Sequence, residues 1–416
     1  TKYKKIKNLV GGYFDNYIDK NISKDDLFNT IKFIFDTYNE LLYFRIRNNK
    51  ITCAYHLYNP KNTVDWMKYL KYRSFSGKIQ NIDDSLIEIV NESTKNDYYT
   101  LRKPHYIPAN NCLLGFDAYN YVEGNSMSYV QEFKDMLEYT IEKFQNVPDV
   151  DIIINRKDFA YSNKNKSYAY DHLIPAGIID DTMHSLKRFY YIGSQSVKDK
   201  NLDIPIPSAD EWKSIDDSKK YNLIKWEDRL NVAFFRGQST GCGTFIANNP
   251  RLKLADMSYK NVEMPIKLDV AISKFVTRIK TYDRFVVLDN IIRYKYLIGK
   301  FIESSEQLKY KYIFNIEGNA QAYRYPNEFK KGALILNVES EYKMWFEPLI
   351  KNNKHYVLIK SDYSNLYDIL KYLKENDNKS KKIANNGKKF SDKYISKNGI
   401  ATYWYHYMLN INKNLV

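Results

Sequence analysis

Cysteine is scarce in this chain: Cys53, Cys112 and Cys242 are the only three in 416 residues. They are odd in number and match neither CxxC nor a Cys/His zinc spacing, which excludes a disulfide scaffold and a zinc-ribbon framework and favours a reducing compartment. Long apolar runs are missing too. Nothing approaches the ~18 consecutive apolar residues of a membrane span, and the N-terminal TKYKKIKNLVGGYF has no apolar core of a secretory signal. The chain is therefore expected to be soluble, without a transmembrane segment. The cytoplasm is favoured, and a secretory lumen stays open if a leader once preceded Thr1. No internal repeat or low-complexity tract points to a solenoid or a disordered linker. The six histidines form no HExxH and no close pair, so no metal is expected.

Core-forming material, by contrast, is plentiful. The chain is 44% hydrophobic and 16% aromatic, with 39 tyrosines, so it is a folded globular protein. Its length exceeds what one hydrophobic core usually holds, and two domains with a ligand-binding cleft between them are expected. A net charge of +15, from 64 Lys+Arg against 49 Asp+Glu, suits polyanions, phosphorylated metabolites or acidic lipid faces. Because the lysines are scattered, a merely solvated basic surface fits as well.

Apolar spacing at Leu27, Ile31, Ile34, Tyr38 and Leu41 predicts a helix over Ser23–Phe44 with Ser23 as its N-cap. A second helix, 128–145, is broken by Pro148 and feeds the buried strand VDIIIN. The runs NVAFFRG, YKYIFNIEG, GALILNV and HYVLI have strand length and alternate with helical patterns. Such alternation predicts an α/β fold with parallel sheets. Two Rossmann-like halves follow, with a boundary near Ser214–Tyr221: residues 1–217, residues 218–390, and a C-terminal helical segment 391–416 that could reach back to the first half. Closing helices are expected over Tyr363–Glu375, Ser380–Ser391 and Ala401–Leu409. Residues 60–125 are polar and tyrosine-rich, and predict only short elements and loops.

Chemistry concentrates in AFFRGQSTGCGTFIANNPRLKLAD, residues 233–256. It matches neither a Walker loop nor a dinucleotide fingerprint. Its parts nevertheless suit a phosphate: Gly237 lets the backbone approach, Ser239 and Thr240 offer hydroxyls, and Arg236 brings a forked cation to a strand end. Asn249-Pro250 reads as an N-cap with proline at the first helical position, and Arg251 falls in that first turn. A plain glycine-rich loop with a surface arginine accounts for the segment equally well. Upstream, PDVDIIINRKDFA places Asn155, Arg156, Lys157 and Asp158 past a buried strand. Strand alternation would set Asp158 beside Arg156, an ionised carboxylate able to accept a proton. Asp149-Val150-Asp151 spells a DxD, but it precedes its strand and is discounted as a metal site. Downstream, KYKYIFNIEGNAQAYRYP ends a strand at Gly318 and carries Arg324.

Taken in order, PDVDIIINRKDF, FFRGQSTGCG with NPRLKLAD, and the block from Lys309 through HYVLI resemble the CAP10-like glycosyltransferases, family 90, over roughly residues 128–410. The resemblance implies a GT-B type fold of two Rossmann-like domains and inverting, metal-independent transfer of a sugar, glucose or xylose, from a UDP-sugar to a hydroxyl of a protein or glycan acceptor. It implies no cofactor. Asp158 corresponds to the catalytic base of that family, Arg251 and Arg324 to the arginines holding the diphosphate, and Asp256 to an aspartate of the nucleotide-sugar region. Gln238 stands where protein O-glucosyltransferases tend to have serine, so neither the acceptor nor the sugar carries over from them. A nuclease and a basic, tyrosine-rich nucleic-acid-binding protein are the competing classes. No acidic cluster supports the first, and the tyrosines lie inside apolar segments rather than on a stacking surface, so no nucleic-acid partner is expected.

Overall fold

The computed structural model describes residues 3–17, 20–38, 40–58, 105–108, 119–122, 124–158, 160–162, 188–199, 201–241, 246–247, 249–275 and 294–416. Most of the 60–125 segment, together with Cys112, Cys242, His172 and His184, lies outside them. No helix among the described residues is long and apolar enough to cross a membrane.

Helix α1, Lys4–Asp15, buries Ile6, Val10 and Phe14 along one stripe. Ser23 does cap α2, Lys24–Tyr38: its Oγ accepts from the Asp26 N–H at 3.1 Å while the Asp26 carboxylate accepts from the Ser23 N–H at 2.8 Å. The helix stops short of the expected Phe44. Leu41 to Phe44 are all buried, which suits a strand covered on both faces, and they belong to β1, Glu40–Arg47. Strand β2, Lys50–Tyr58, returns antiparallel through Asn48 and Asn49, both at positive φ (51° and 57°), a turn that asparagine tolerates.

Two short strands, β3 (His105–Pro108) and β4 (Tyr119–Val122), extend the far edge. Helix α3, Gly124–Phe144, leads to β5, Val150–Ile154, which pairs antiparallel with β1. Beyond β5 the pairing turns parallel, to β6 (Ile192–Ser194) and β7 (Ile204–Pro205). The resulting seven-stranded sheet, ordered β3-β4-β2-β1-β5-β6-β7, is mixed. The parallel pairing expected of this half holds only from β5 onward, because a hairpin rather than a helical crossover joins β1 to β2. Helix α4, Ala209–Ser218, follows β7 and contains the first part of the charged stretch at 214–221.

The second sheet is wholly parallel. It comprises β8 (Leu230–Gln238), β9 (Lys267–Lys274), β10 (Tyr310–Asn315), β11 (Leu334–Val338) and β12 (Val357–Ile359), in the order β12-β11-β10-β8-β9. Helix α5, Pro250–Tyr259, connects β8 to β9, and a short α6, Tyr325–Glu328, follows β10. All five residues of β11 are buried, as a strand flanked by helices requires. The chain steps outward from β8 to β9, then crosses to the other side of β8 with β10. This is the topological switch of a doubly wound sheet, and ligands bind outside the carboxyl ends of strands at such a point.

The C-terminal helices are α7 (Leu366–Glu375), α8 (Asp377–Tyr394) and α9 (Lys397–Lys413). Helix α9 packs on α1 and α3, where its Trp404 meets Phe133 edge-on and Tyr405 stacks on Phe144. The two sheets are joined through buried polar contacts. Ser208 caps α4, and Glu211 on that helix accepts the indole N–H of Trp345 at 2.9 Å.

Candidate functional site

At the carboxyl end of β8, alternation sends Phe235 and Gly237 to one face and Phe234 and Arg236 to the other. The Phe235 ring, buried in the core, carries two guanidinium groups: Arg324 at 4.7 Å and Arg251 at 5.5 Å from its centroid. Both arginines thus converge on the gap between β8 and β10, the switch point of the sheet.

Arg251 gets there because Asn249 caps α5. The Asn249 carboxamide oxygen accepts from the N–H groups of Arg251 and Leu252, so part of this helix end is already satisfied from within the chain. The Arg251 side chain is buried and lashes three segments together. Nε donates to Glu317 O at 2.8 Å, Nη1 to Gln238 O at 3.0 Å and Thr240 Oγ1 at 2.7 Å, and Nη2 to Ile316 O at 2.8 Å. A guanidinium has five N–H donors, so one is left over from these four bonds. Burial, and secondarily the neighbouring Arg324, lowers its pKa to about 9, the mark of a desolvated cation that an anion would relieve. Gly318 makes the approach feasible: a Cβ there would stand 2.9 Å from Thr240 Oγ1 and 3.1 Å from Arg251 Nη2.

Arg324 is less committed. Its Nη1 donates to Arg236 O at 2.5 Å and its Nε stands 3.6 Å from the Glu328 carboxylate. Gly237 leaves space for the rest of the group, since a Cβ at that position would lie 3.2 Å from Arg324 Nη2.

Arg236 does not join them. On the opposite face, its Nη2 meets the Asp269 carboxylate at 2.6 Å and its Nε donates to Lys300 O at 3.1 Å. Ser239 is buried, with its N–H donating to Lys274 O and its carbonyl accepting from Asn249. Asp256 lies farther along α5, where its carboxylate accepts from the Tyr296 hydroxyl at 2.9 Å and pairs with Lys260 at 2.8 Å. Of the eight residues singled out in the sequence, the structure therefore gathers Gly237, Thr240, Arg251 and Arg324 most closely.

Asp158 stands on the loop that leaves β5, half-buried. The strand ends at Ile154, because the Asn155 carboxamide oxygen accepts from the Lys157 N–H at 2.7 Å and turns the chain. The alternation that would have paired Asp158 with Arg156 does not extend that far. The turn is anchored from below: Asn155 Nδ2 donates to Ser194 Oγ, and Ser194 Oγ donates to the buried Asp203. Asp203 also accepts the N–H groups of Tyr161 and Ser162. Burial raises the Asp203 pKa although these bonds oppose the rise. This Asn155–Ser194–Asp203 network went unread in the sequence, where only Asn155 stood in the quoted motif.

Asp158 is within electrostatic reach of Asp210 in the first turn of α4. Burial raises the Asp210 pKa, Lys213 opposes the rise, and the Asp158 charge adds to it. One turn on, Ser214 Oγ donates to Asn327 on α6, immediately past Arg324. The loop after β6 also meets two others: the Gln321 N–H, past β10, donates to Ser196 Oγ at 3.3 Å, while past β11 Lys343 bridges Val197 and Glu341 pairs with Lys198 at 2.7 Å. The Asp149–Asp151 pair faces away from this chemistry. Asp151 is bound by Arg45 and Arg47, and Asp149 accepts the Asn48 N–H. Among the described residues, no three His, Cys, Asp or Glu side chains group as metal ligands.

A family profile described as Glycosyl transferase family 90 matches residues 120–415. Uncharacterized protein 035R of Invertebrate iridescent virus 3 is 25% identical over 93% of this chain and 36% of its own length. Uncharacterized protein 179R of Invertebrate iridescent virus 6 is 28% identical over 94% of this chain and 37% of its own. The chain thus spans just over a third of the length of these curated relatives. Protein O-glucosyltransferase 1 of Mus musculus is 22% identical over 67% of this chain and 66% of that protein. The solved structure of TarM superposes with a TM-score of 0.31 at 13% identity, over 45% of this chain and 38% of that one, too loosely to inform the fold.

Proposed function

The chain belongs to glycosyl transferase family 90, and from that premise we propose that it moves a sugar, glucose or xylose, from a UDP-sugar to a hydroxyl of a protein or glycan acceptor. The observation that carries this reading is the convergence of Arg251 and Arg324 on the Phe235 ring at the sheet's switch point. Two cations held at a strand end, next to glycines that admit close backbone approach, suit a diphosphate.

The reaction is a single in-line displacement. Asp158 accepts the proton of the acceptor hydroxyl as its oxygen attacks the anomeric carbon, and UDP departs from the opposite face, inverting the configuration. Charge growing on the departing phosphate is met by Arg324, by the remaining N–H of Arg251 and by Thr240, without a metal ion. The Asn155–Ser194–Asp203 network holds the base in position. The two sheets act as the two domains of a GT-B enzyme, with acceptor and base on the β5–β7 side and donor on the β8–β12 side.

A panel of UDP-sugars incubated with the protein, with and without EDTA, tests the donor and the metal. One donor should be hydrolysed or transferred well above the rest, with EDTA making no difference. NMR of the product should show the anomeric configuration opposite to that of the donor. Retention of configuration, or loss of turnover in EDTA, overturns the mechanism.

A further inference from the structure

The donor residues gather at the carboxyl ends of β8 and β10, whereas a different basic site lies at the amino end of β12. There a cavity of about 270 Å³ opens between α1, α8 and the turn at 349–356. Its lining includes Lys5 from α1, Lys351, Lys354 and His355 from the turn, and Lys389 and Lys393 from α8, with no carboxylate among the lining residues.

Net charge alone does not account for this. Across the chain 64 cationic residues face 49 anionic ones, but here five lysines from three elements face none. The turn contains no acid, and the one carboxylate on the adjoining stretch of α8, Asp392, is taken by Lys388 at 2.6 Å. Among the described residues none of the five ammonium groups forms a salt bridge.

The place is also built. Gly387 lets the turn rest on α8, since a Cβ there would meet His355 O at 2.7 Å and the Phe329 ring at 2.8 Å. Asn352 closes the turn by accepting from the N–H groups of Asn353 and Leu358, both at 2.9 Å. The His355 Nδ1 accepts the Lys351 N–H at 2.9 Å, so the neutral ring keeps its proton on Nε2 as a donor. The ring leans on buried Phe390. Burial, followed by the charges of Lys354, Lys5 and Lys351, lowers the His355 pKa, which places those cations around one point.

We propose that this cavity binds a compact anion bearing two or more adjacent phosphates, either free in solution or carried as a lipid headgroup. Lysines are point charges with three donors each, suited to tetrahedral phosphate, whereas carboxylate is better matched by the planar fork of arginine. Several cations around so small a volume call for a ligand of high charge density. The cavity is below the usual size for drug-like ligands, so the charged group supplies most of the contact.

The test is calorimetric titration of the full chain with inorganic tripolyphosphate at fixed ionic strength. Binding is expected at one site per chain. A double variant, Lys351→Ala with Lys393→Ala, should weaken it about a hundredfold, roughly tenfold for each charge-assisted bond removed. The melting temperature and affinity for UDP should stay unchanged. Lys360→Ala with Lys374→Ala, two exposed lysines elsewhere, should bind like the parent chain.

Phosphatidylcholine vesicles doped with a phosphoinositide bisphosphate, or with phosphatidylserine at equal charge, distinguish the sources. Capture only by the bisphosphate vesicles assigns a headgroup, and tripolyphosphate binding without vesicle capture assigns a free anion. No binding of either, equal capture by phosphatidylserine, tighter binding of an oligonucleotide than of tripolyphosphate, or indifference to the double variant overturns the proposal. None of these outcomes depends on sugar transfer.

Discussion

Arg251 donates a 2.7 Å hydrogen bond from Nη1 to Thr240 Oγ1, tying the first turn of α5 to the loop that leaves β8. The same guanidinium holds the Gln238, Ile316 and Glu317 carbonyls, so one buried side chain sets the distance between the ends of β8 and β10. The proposed donor site is centred on this clamp rather than on a glycine loop.

Thr240→Val keeps the shape of the residue but removes the acceptor. It should lower stability by ~1 kcal/mol and weaken UDP binding, because the loop loses its link to α5. Urea unfolding and calorimetry on one preparation measure both effects.

Gly318→Ala tests the clamp from the other side. The added methyl meets Thr240 Oγ1 and Arg251 Nη2 well inside contact distance, and strain of ~1–3 kcal/mol is expected. UDP affinity should fall with it. Unchanged UDP affinity would detach the Arg251–Thr240 geometry from donor binding.

Arg324→Ala should behave differently. The side chain is about a third exposed and makes one short bond, to Arg236 O, so the melting temperature should change little. The KM for the donor should rise by one to two orders of magnitude, the value of roughly one or two charge-assisted hydrogen bonds.

Glu347 gives the protein a pH signature. Burial lifts its carboxyl to about 7, although the Met344 N–H, Gln321 and the Lys343 charge act against the rise. Folded chains then hold a proton that unfolded chains lose near the ordinary glutamate pKa of ~4.3. Stability should fall as pH rises between that value and about 7, then level off. Glu347→Gln removes this slope, so its stability relative to the parent chain should grow across the same window. Parallel denaturation curves for the two would mean that the carboxyl is already ionised in the fold.

The legible parts of the sequence were those written in local pattern. NVAFFRG, YKYIFNIEG, GALILNV and HYVLI became β8, β10, β11 and β12 because buried strands of a parallel sheet read as unbroken apolar runs. Asn249-Pro250 announced its helix through the cap alone. What escaped depended on register or on distant partners. Arg236 looked free until β9 brought Asp269, 33 residues away in sequence, beside it. Asp203 lies 45 positions beyond Asp158, and no spacing rule connects the two. Leu41 continued a helical spacing by coincidence, while the buried run around it formed β1.

The most direct test of the account is the Asp158→Asn variant, assayed for transfer and for UDP binding in parallel. The substitution keeps size and polarity but removes the proton acceptor. Turnover should fall by ~10²–10⁴ while UDP affinity and melting temperature stay at parent values. Transfer at a rate near that of the parent chain would contradict the assignment of the base, and with it the mechanism built on Asp158.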